Sequence, residues 1–229
     1  LLHIAKVKKD FSYLYFSIAA SMFYLTKTPA LLKALYKSCI WNLSPAQPSV
    51  YLTFDDGPHP TATPFILDLL KKYDAKATFF CIGKNVIEYP EIYQRILEEG
   101  HHAGNHTHNH LNGWKTGTDK YIENILEARK YISTSLFRPP YGRITPFQIR
   151  QLKKVIPGVK VVMWDVLSAD FDTERSGEEC VQNVVFKAKA GSVIVFHDST
   201  KAWDRLEYAL PRVLEYFSKQ KLRMEAIPY

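Results

Sequence analysis

The sequence predicts a parallel α/β protein of roughly seven strand-helix units. Three observations carry this. From Val50 onward, apolar or β-branched runs of strand length alternate with stretches of helical spacing. Polar residues beside Gly or Pro fall just after the strand runs, in the same place each time. A chain of 229 residues, 46% of them apolar and 14% aromatic, is also long enough to bury one large core.

Taken in order, VYLTF at 50–54 is the first strand and TPFILDLLKKY at 63–73 the helix after it. Thr61 or Thr63 is placed to cap that helix, with Pro64 at its start. ATFFCIG at 77–83 leads to YPEIYQRILEEG at 89–100, where Gly100 is the expected stop. HHAGNHT at 101–107 leads to DKYIENILEARKYI at 119–132, and LFRPPYG at 136–142 to TPFQIRQLKKV at 145–155. VKVVMWDV at 159–166, read as one strand, leads to GEECVQNVVFKAKA at 177–190. SVIVFHDS at 192–199 leads to RLEYALPRVLEYFSKQ at 205–220, and LRMEAI at 222–227 closes the chain.

Composition narrows the function. The formal net charge is +7, but the basic residues are scattered in twos and threes, as at Lys8 and Lys9, Lys71 and Lys72, and Lys153 and Lys154. Such spacing marks a solvated surface and gives no argument for nucleic acid. Cys39, Cys81 and Cys180 are odd in number and far apart, so they read as core filling rather than a disulfide framework. Residues 1–49 read as an N-terminal segment, a signal or anchor followed by a lead-in helix. Within it Lys6, Lys8 and Lys9 precede an uncharged apolar run at 11–25, long enough for a signal core and short for a membrane span. Membrane association is expected through residues 11–25, with an envelope or membrane-associated location if they act as signal or anchor and a cytoplasmic one otherwise. Translation from Met22 is the competing reading of this segment.

The strand ends carry the chemistry: DDGP at 55–58, NHTHNH at 105–110, RPPYG at 138–142, WDVLSADFD at 164–172 and FHDS at 196–199. In a parallel α/β fold these ends share one face. Asp55 and Asp56 have a structural reading as turn residues. His106 and His110, four apart, reach one ion if the segment is helical or tightly turned, and an aspartate from another strand end completes a set suited to Zn²⁺ or a similar divalent ion. His101, His102 and His108 read as surface or core groups, and His108 is left out of the set.

TFDDGP, HTHNH, RPPYG and VIVFHD stand in the order and spacing of the polysaccharide deacetylases of carbohydrate esterase family 4, the nodulation-factor deacetylase homology domain, which the chain resembles over residues 50–229. The resemblance implies a distorted parallel (β/α) barrel as the catalytic domain. It implies Asp56, His106 and His110 as ligands of a divalent metal, Zn foremost with Co, Ni or Mn as alternatives, and Asp55 as general base. Arg138 matches the arginine that orients the base, and the backbone N–H of Tyr141 the donor to the developing oxyanion. Pro139 and Pro140 keep that loop rigid, with Pro140 on the substrate side. His197 matches the acid that protonates the leaving amine, Asp170 its carboxylate partner, and Val195 the apolar residue lining the acetyl pocket. The implied reaction is removal of an N-acetyl group from an amino sugar of an oligo- or polysaccharide, so the implied partner is an N-acetylated glycan.

One motif departs from the family. Where the pattern Asp-x-x-Asp-Trp is common, this chain has Leu167-Ser168-Ala169-Asp170-Phe171. Asp165 and Asp172 therefore compete with Asp170, and Trp114 and Trp203, placed in loops near strand ends, are candidates for stacking on a sugar. Rival readings are an O-acetyl esterase or cyclic amide hydrolase on the same scaffold, a non-haem iron oxygenase with the same ligand types, and a non-catalytic carbohydrate-binding protein.

Overall fold

The first strand, β1 (Ser49–Asp55), is buried along its whole length, which is why it reads as an almost unbroken apolar run. The computed structural model describes residues 24–229; residues 11–23 of the apolar N-terminal run lie outside the described residues. A short helix α1 (Ala30–Leu35) precedes β1. After it come α2 (Ala62–Lys72), β2 (Thr78–Cys81), α3 (Gly83–Glu88), α4 (Pro90–Glu98), β3 (His102–Asn105), α5 (Thr118–Arg129), β4 (Leu136–Phe137) and α6 (Pro146–Val155). The chain then forms β5 (Lys160–Val161), β6 (Val166–Leu167), α7 (Gly177–Val185), β7 (Val193–His197), α8 (Trp203–Lys219) and β8 (Arg223–Met224). The strands run β5-β4-β3-β2-β1-β7-β6, every pair parallel, with β8 beside β1.

Alternation along β1 sorts two cores. Leu52 and Phe54 join the outer layer with Ile66, Leu67 and Leu70 of α2 and Leu206, Leu210 and Val213 of α8. Tyr51 points the other way and meets Phe80, Leu136, Val162, Val193 and Ile227, so the sheet wraps round an inner core and forms the distorted barrel that the sequence predicts. Ile227 plugs the end opposite the site: its N–H donates to Thr78 Oγ1 at 2.9 Å and its carbonyl lies 2.7 Å from His102 Nδ1.

Gly104 has no side chain because the inner face of β3 lies against Phe80; a Cβ there would come within 2.4 Å of that ring. Gly104→Ala is expected to cost about 1–3 kcal/mol, a fall in Tm of a few degrees for a domain of this size, read by thermal unfolding.

Residues 159–166 do not form the single strand expected. They split into β5 and β6, which pair with β4 and β7 respectively, and among the described residues no ladder joins β5 to β6. The lead-in segment fills this seam. Ile40 bonds across it, its N–H to the Val161 carbonyl at 2.8 Å and its carbonyl to the Met163 N–H at 2.7 Å. Lys27 pairs antiparallel with Val166. Asp165, 2% exposed, clamps the segment through Lys27 Nζ at 2.6 Å and Lys33 Nζ at 2.5 Å. A buried carboxylate needs such partners, and they come from residues more than 130 positions away, so no local pattern announces the break.

Two further expectations meet the structure differently. Gly100 ends α4 as expected, at φ 76. Thr61 stands at the N-cap of α2 but its side chain makes no capping bond, and Thr63 Oγ1 instead accepts from the His59 N–H at 2.8 Å and donates to Asp198 Oδ2 at 2.5 Å. All three cysteines are free and buried.

Candidate active site

Arg138 organises the strand ends from inside the barrel. It comes directly after β4 and is fully buried, its guanidinium 4.0 Å from the centre of the Phe80 ring. One terminal nitrogen donates to Thr53 Oγ1 and to Asp55 Oδ1, both at 2.6 Å. Its other nitrogens donate to the carbonyls of Val162 at 3.3 Å and Met163 at 3.0 Å, across the β5–β6 seam. Burial pulls the guanidinium down from its ordinary value, and the Asp55 carboxylate opposes that.

The two adjacent aspartates face different partners. Asp55 ends β1 and turns inward to Arg138. Asp56 sits at φ 87, and its carbonyl is held by Asn85 Nδ2 at 2.7 Å. That turn swings its carboxylate towards the histidines: Oδ1 lies 3.1 Å from His110 Nε2 and 3.7 Å from His106 Nε2. Among the described residues, five of the seven non-glycine residues with positive φ, Asp56, Thr107, His110, Tyr141 and Ala169, lie in these strand-end segments, so backbone strain is concentrated at the site.

His106 and His110 are brought together by a turn rather than a helix. Asn105 Oδ1 accepts from the Thr107 N–H at 2.8 Å, and Asn124 Oδ1 from the His108 and Asn109 N–H groups, both at 3.0 Å. His106 Nδ1 lies 2.8 Å from the Arg138 carbonyl and His110 Nδ1 3.1 Å from the Tyr141 hydroxyl. With the proton on Nδ1, each Nε2 keeps its lone pair free. Burial above all holds His106 down at about 4, the neutral form. His108, as expected, is elsewhere, with its ring 6.2 Å from that of Tyr131.

Beside Asp55 in the β1–β7 ladder, His197 ends β7. Its Nδ1 lies 2.7 Å from Asp170 Oδ1, and its backbone N–H donates to Asp170 Oδ2 at 2.8 Å. Ser168 Oγ donates to the same carboxylate at 2.9 Å. Burial alone pulls the imidazole down, but the charge and hydrogen bond of Asp170, with Asp56 and Asp55 behind them, outweigh it and hold the group at about 9. Of the competing carboxylates, Asp165 is bound to the lead-in lysines and Asp172 to the Tyr24 hydroxyl at 2.5 Å.

The other predicted residues divide between the rim and the core. Pro140 is buried and opens a short 3-10 turn, Pro140–Gly142, in which Tyr141 has φ 60 and an exposed side chain. Val195 is buried on β7, two residues before His197 and therefore on the same face of the strand. Trp203 is not in a loop: it opens α8 and packs edge-on against Phe65 at 5.3 Å. Trp114 is 62% exposed, with the Arg143 guanidinium 5.4 Å from its ring.

The model of the polysaccharide deacetylase family matches residues 42–155. A peptidoglycan-N-acetylglucosamine deacetylase of Bacillus cereus is 35% identical over 193 residues, which cover 82% of this chain and 90% of that protein. The chain belongs to the polysaccharide deacetylase family. A chitooligosaccharide deacetylase of Azorhizobium caulinodans is 35% identical over 66% of this chain and 74% of its own. The crystal structure of a peptidoglycan N-acetylglucosamine deacetylase superposes with a TM-score of 0.79 at 31% identity, covering 88% of this chain and 95% of that one.

Polysaccharide deacetylases of this kind are metal-dependent hydrolases of carbon–nitrogen bonds other than peptide bonds. In this deacetylase the ligand atoms of Asp56, His106 and His110 lie within 4.8 Å of one another. Asp56 Oδ1 is buried with no hydrogen-bond partner, an orphaned acceptor that a cation would satisfy. The donor set therefore fits a divalent ion. The Tyr141 hydroxyl, which the sequence did not single out, supports His110. Tyr141→Phe is expected to weaken metal affinity about tenfold while sparing turnover at saturating metal, because the backbone N–H remains. Titration of the metal-free protein measures this.

Asp198 was missed as well. Fully buried, it accepts from the Gly57 N–H at 2.9 Å and from Thr63 Oγ1, so it pins the turn after the aspartate pair. A Cβ on Gly57 would come within 1.9 Å of it. Burial first, and the Asp56 charge second, push its carboxyl up to about 8. The only sequence signal was its place beside His197.

Proposed function

We propose that this deacetylase removes N-acetyl groups from amino sugars of a bacterial-type cell-wall or chitin-like glycan, with Asp55 as base and His197 as acid. The observation that carries the reading is that Asp55, paired with Arg138, and His197, paired with Asp170, end the neighbouring strands β1 and β7 beside the Asp56, His106, His110 cluster. A binding module has no use for a base and an acid so arranged, and an iron oxygenase has no use for either.

Asp56, His106 and His110 would hold a divalent cation, with zinc our choice, which would supply the Lewis acidity for hydrolysis near neutral pH. Asp55 takes a proton from the attacking water, with one carboxylate oxygen fixed by Arg138 and the other left to accept. The Tyr141 N–H donates to the oxygen on which negative charge develops. His197, held protonated by Asp170, gives its Nε2 proton to the departing amine as the carbon–nitrogen bond breaks. Val195 and Pro140 bound the acetyl side. The products are acetate and a free amino sugar.

The test is acetate release from N-acetylglucosamine oligomers and peptidoglycan fragments, with metal content measured on the same sample. Equal yields of acetate and new amine support the reading; release from O-acetyl esters alone ends it. Asp56→Ala, His106→Ala and His110→Ala are each expected to lower metal occupancy and activity together. Even an outer partner of a ligand is worth about 10–100-fold in affinity or activity, and a ligand at least that. Full occupancy in any one variant would remove that residue from the set.

A further inference from the structure

Phe171 stands where the family pattern commonly has tryptophan, and its surroundings show what steadies it. Its ring meets the His197 imidazole edge-on, with centroids 5.3 Å apart at 73°. Tyr24 in turn meets Phe171 at 5.1 Å and 61°. The Tyr24 hydroxyl donates to Asp172 Oδ2 at 2.5 Å and accepts from Arg175 Nε at 3.4 Å. Burial above all, then Asp172, pushes that hydroxyl up to about 12, so it remains a donor at neutral pH. The next residues of the chain tie Tyr24 to the barrel. The Thr26 carbonyl accepts from the Leu167 N–H at 3.0 Å, Lys27 pairs with Val166, and Asp165 clamps Lys27 and Lys33.

We infer that Tyr24 is a positioning residue for the acid: the seam-filling segment carries its ring to the active-site rim, where it holds Phe171 against His197. A phenyl ring has no polar atom of its own to fix it, so its orientation rests on what packs against it: Tyr24, His197 and the Lys201 ammonium, 5.9 Å from its centre. Asp170 fixes one edge of the imidazole. The Phe171 wall, backed by Tyr24, limits tilt of the ring and entry of water beside it. The inference rests on the proposed function and extends it to a residue outside every motif.

A defect in acid positioning should depend on the leaving group. An amine must be protonated to leave, whereas 4-nitrophenolate leaves unprotonated near neutral pH. The zinc-loaded full chain is therefore assayed on N-acetylglucosamine oligomers and on 4-nitrophenyl acetate. Tyr24→Ala is expected to lower kcat on the oligomer about tenfold, with KM and the ester rate within about twofold. Tyr24→Phe keeps the ring and is expected to stay within about threefold on both. Should Tyr24→Ala be unstable, Phe171→Leu is expected to reproduce the split with the segment's own bonds in place.

The inference is overturned if Tyr24→Ala lowers both rates equally or neither. It is also overturned if Tyr24→Phe is as poor as Tyr24→Ala. A wild-type chain that hydrolyses the ester but no oligomer ends the deacetylase reading, and this inference with it; an active wild type with unsplit variants ends the inference alone.

Discussion

Asp55→Asn is expected to keep its metal and lose acetate release by a factor on the order of 10² or more, the usual worth of a general base. Asparagine has nearly the same shape and its amide oxygen still accepts from Arg138, so the inner end of β1 is held. What it lacks is a group that takes a proton from water. The substitution also removes the counter-charge of a guanidinium that has no exposure at all, so stability should fall, by about 3–5 kcal/mol as for other broken buried pairs. Metal content and turnover must therefore be measured on folded protein, below the unfolding transition. Loss of the metal with this substitution would exchange the roles of the two aspartates.

His197→Ala should lower activity by a comparable factor with the metal retained, since the substitution removes the imidazole that Asp170 holds protonated beside the cluster. The sharper test is pH. His197 is needed protonated, and its folded value of about 9 lies above the ordinary 6.5, so the stability of the His197–Asp170 pair is complete below 6.5 and lost as pH rises through about 9. Activity should fall on the same alkaline side. A bound cation moves that limb down, but it does so equally with or without Asp170. Asp170→Asn removes the main cause of the rise, so the limb should move to lower pH, while Asp165→Asn and Asp172→Asn leave it in place. A limb that moves with Asp165→Asn instead would contradict the 2.7 Å contact between His197 and Asp170.

Much of the site was legible because its residues sit in short segments whose chemistry is local. DDGP, the two histidines and RPPYG each come just after a strand, and strand ends in a parallel barrel converge whatever the rest of the chain does. The alternation of strand and helix was legible for the same reason, since period and capping are properties of neighbours. Residues 159–166 show the limit. A run that is apolar but for Lys160 and Asp165 looks like one strand, yet it divides where Ser192, Lys27 and Lys33 hold the Asp165 carboxylate. Thr63 likewise resembles a cap until Asp198, 135 residues on, takes its hydroxyl.

The sequence by itself determined the fold class and the family, and it singled out Asp55, Asp56, His106, His110 and His197 at strand ends that share one face. Tertiary structure decided which carboxylate serves His197, because Asp165, Asp170 and Asp172 lie within eight residues and differ only in what faces them: two lysines, a histidine and a tyrosine. It also decided that Arg138 spans the barrel interior and that the lead-in segment fills the β5–β6 seam. Both depend on contacts between residues far apart in the chain, and the burial that makes those contacts strong exists only once the sheet has closed around them.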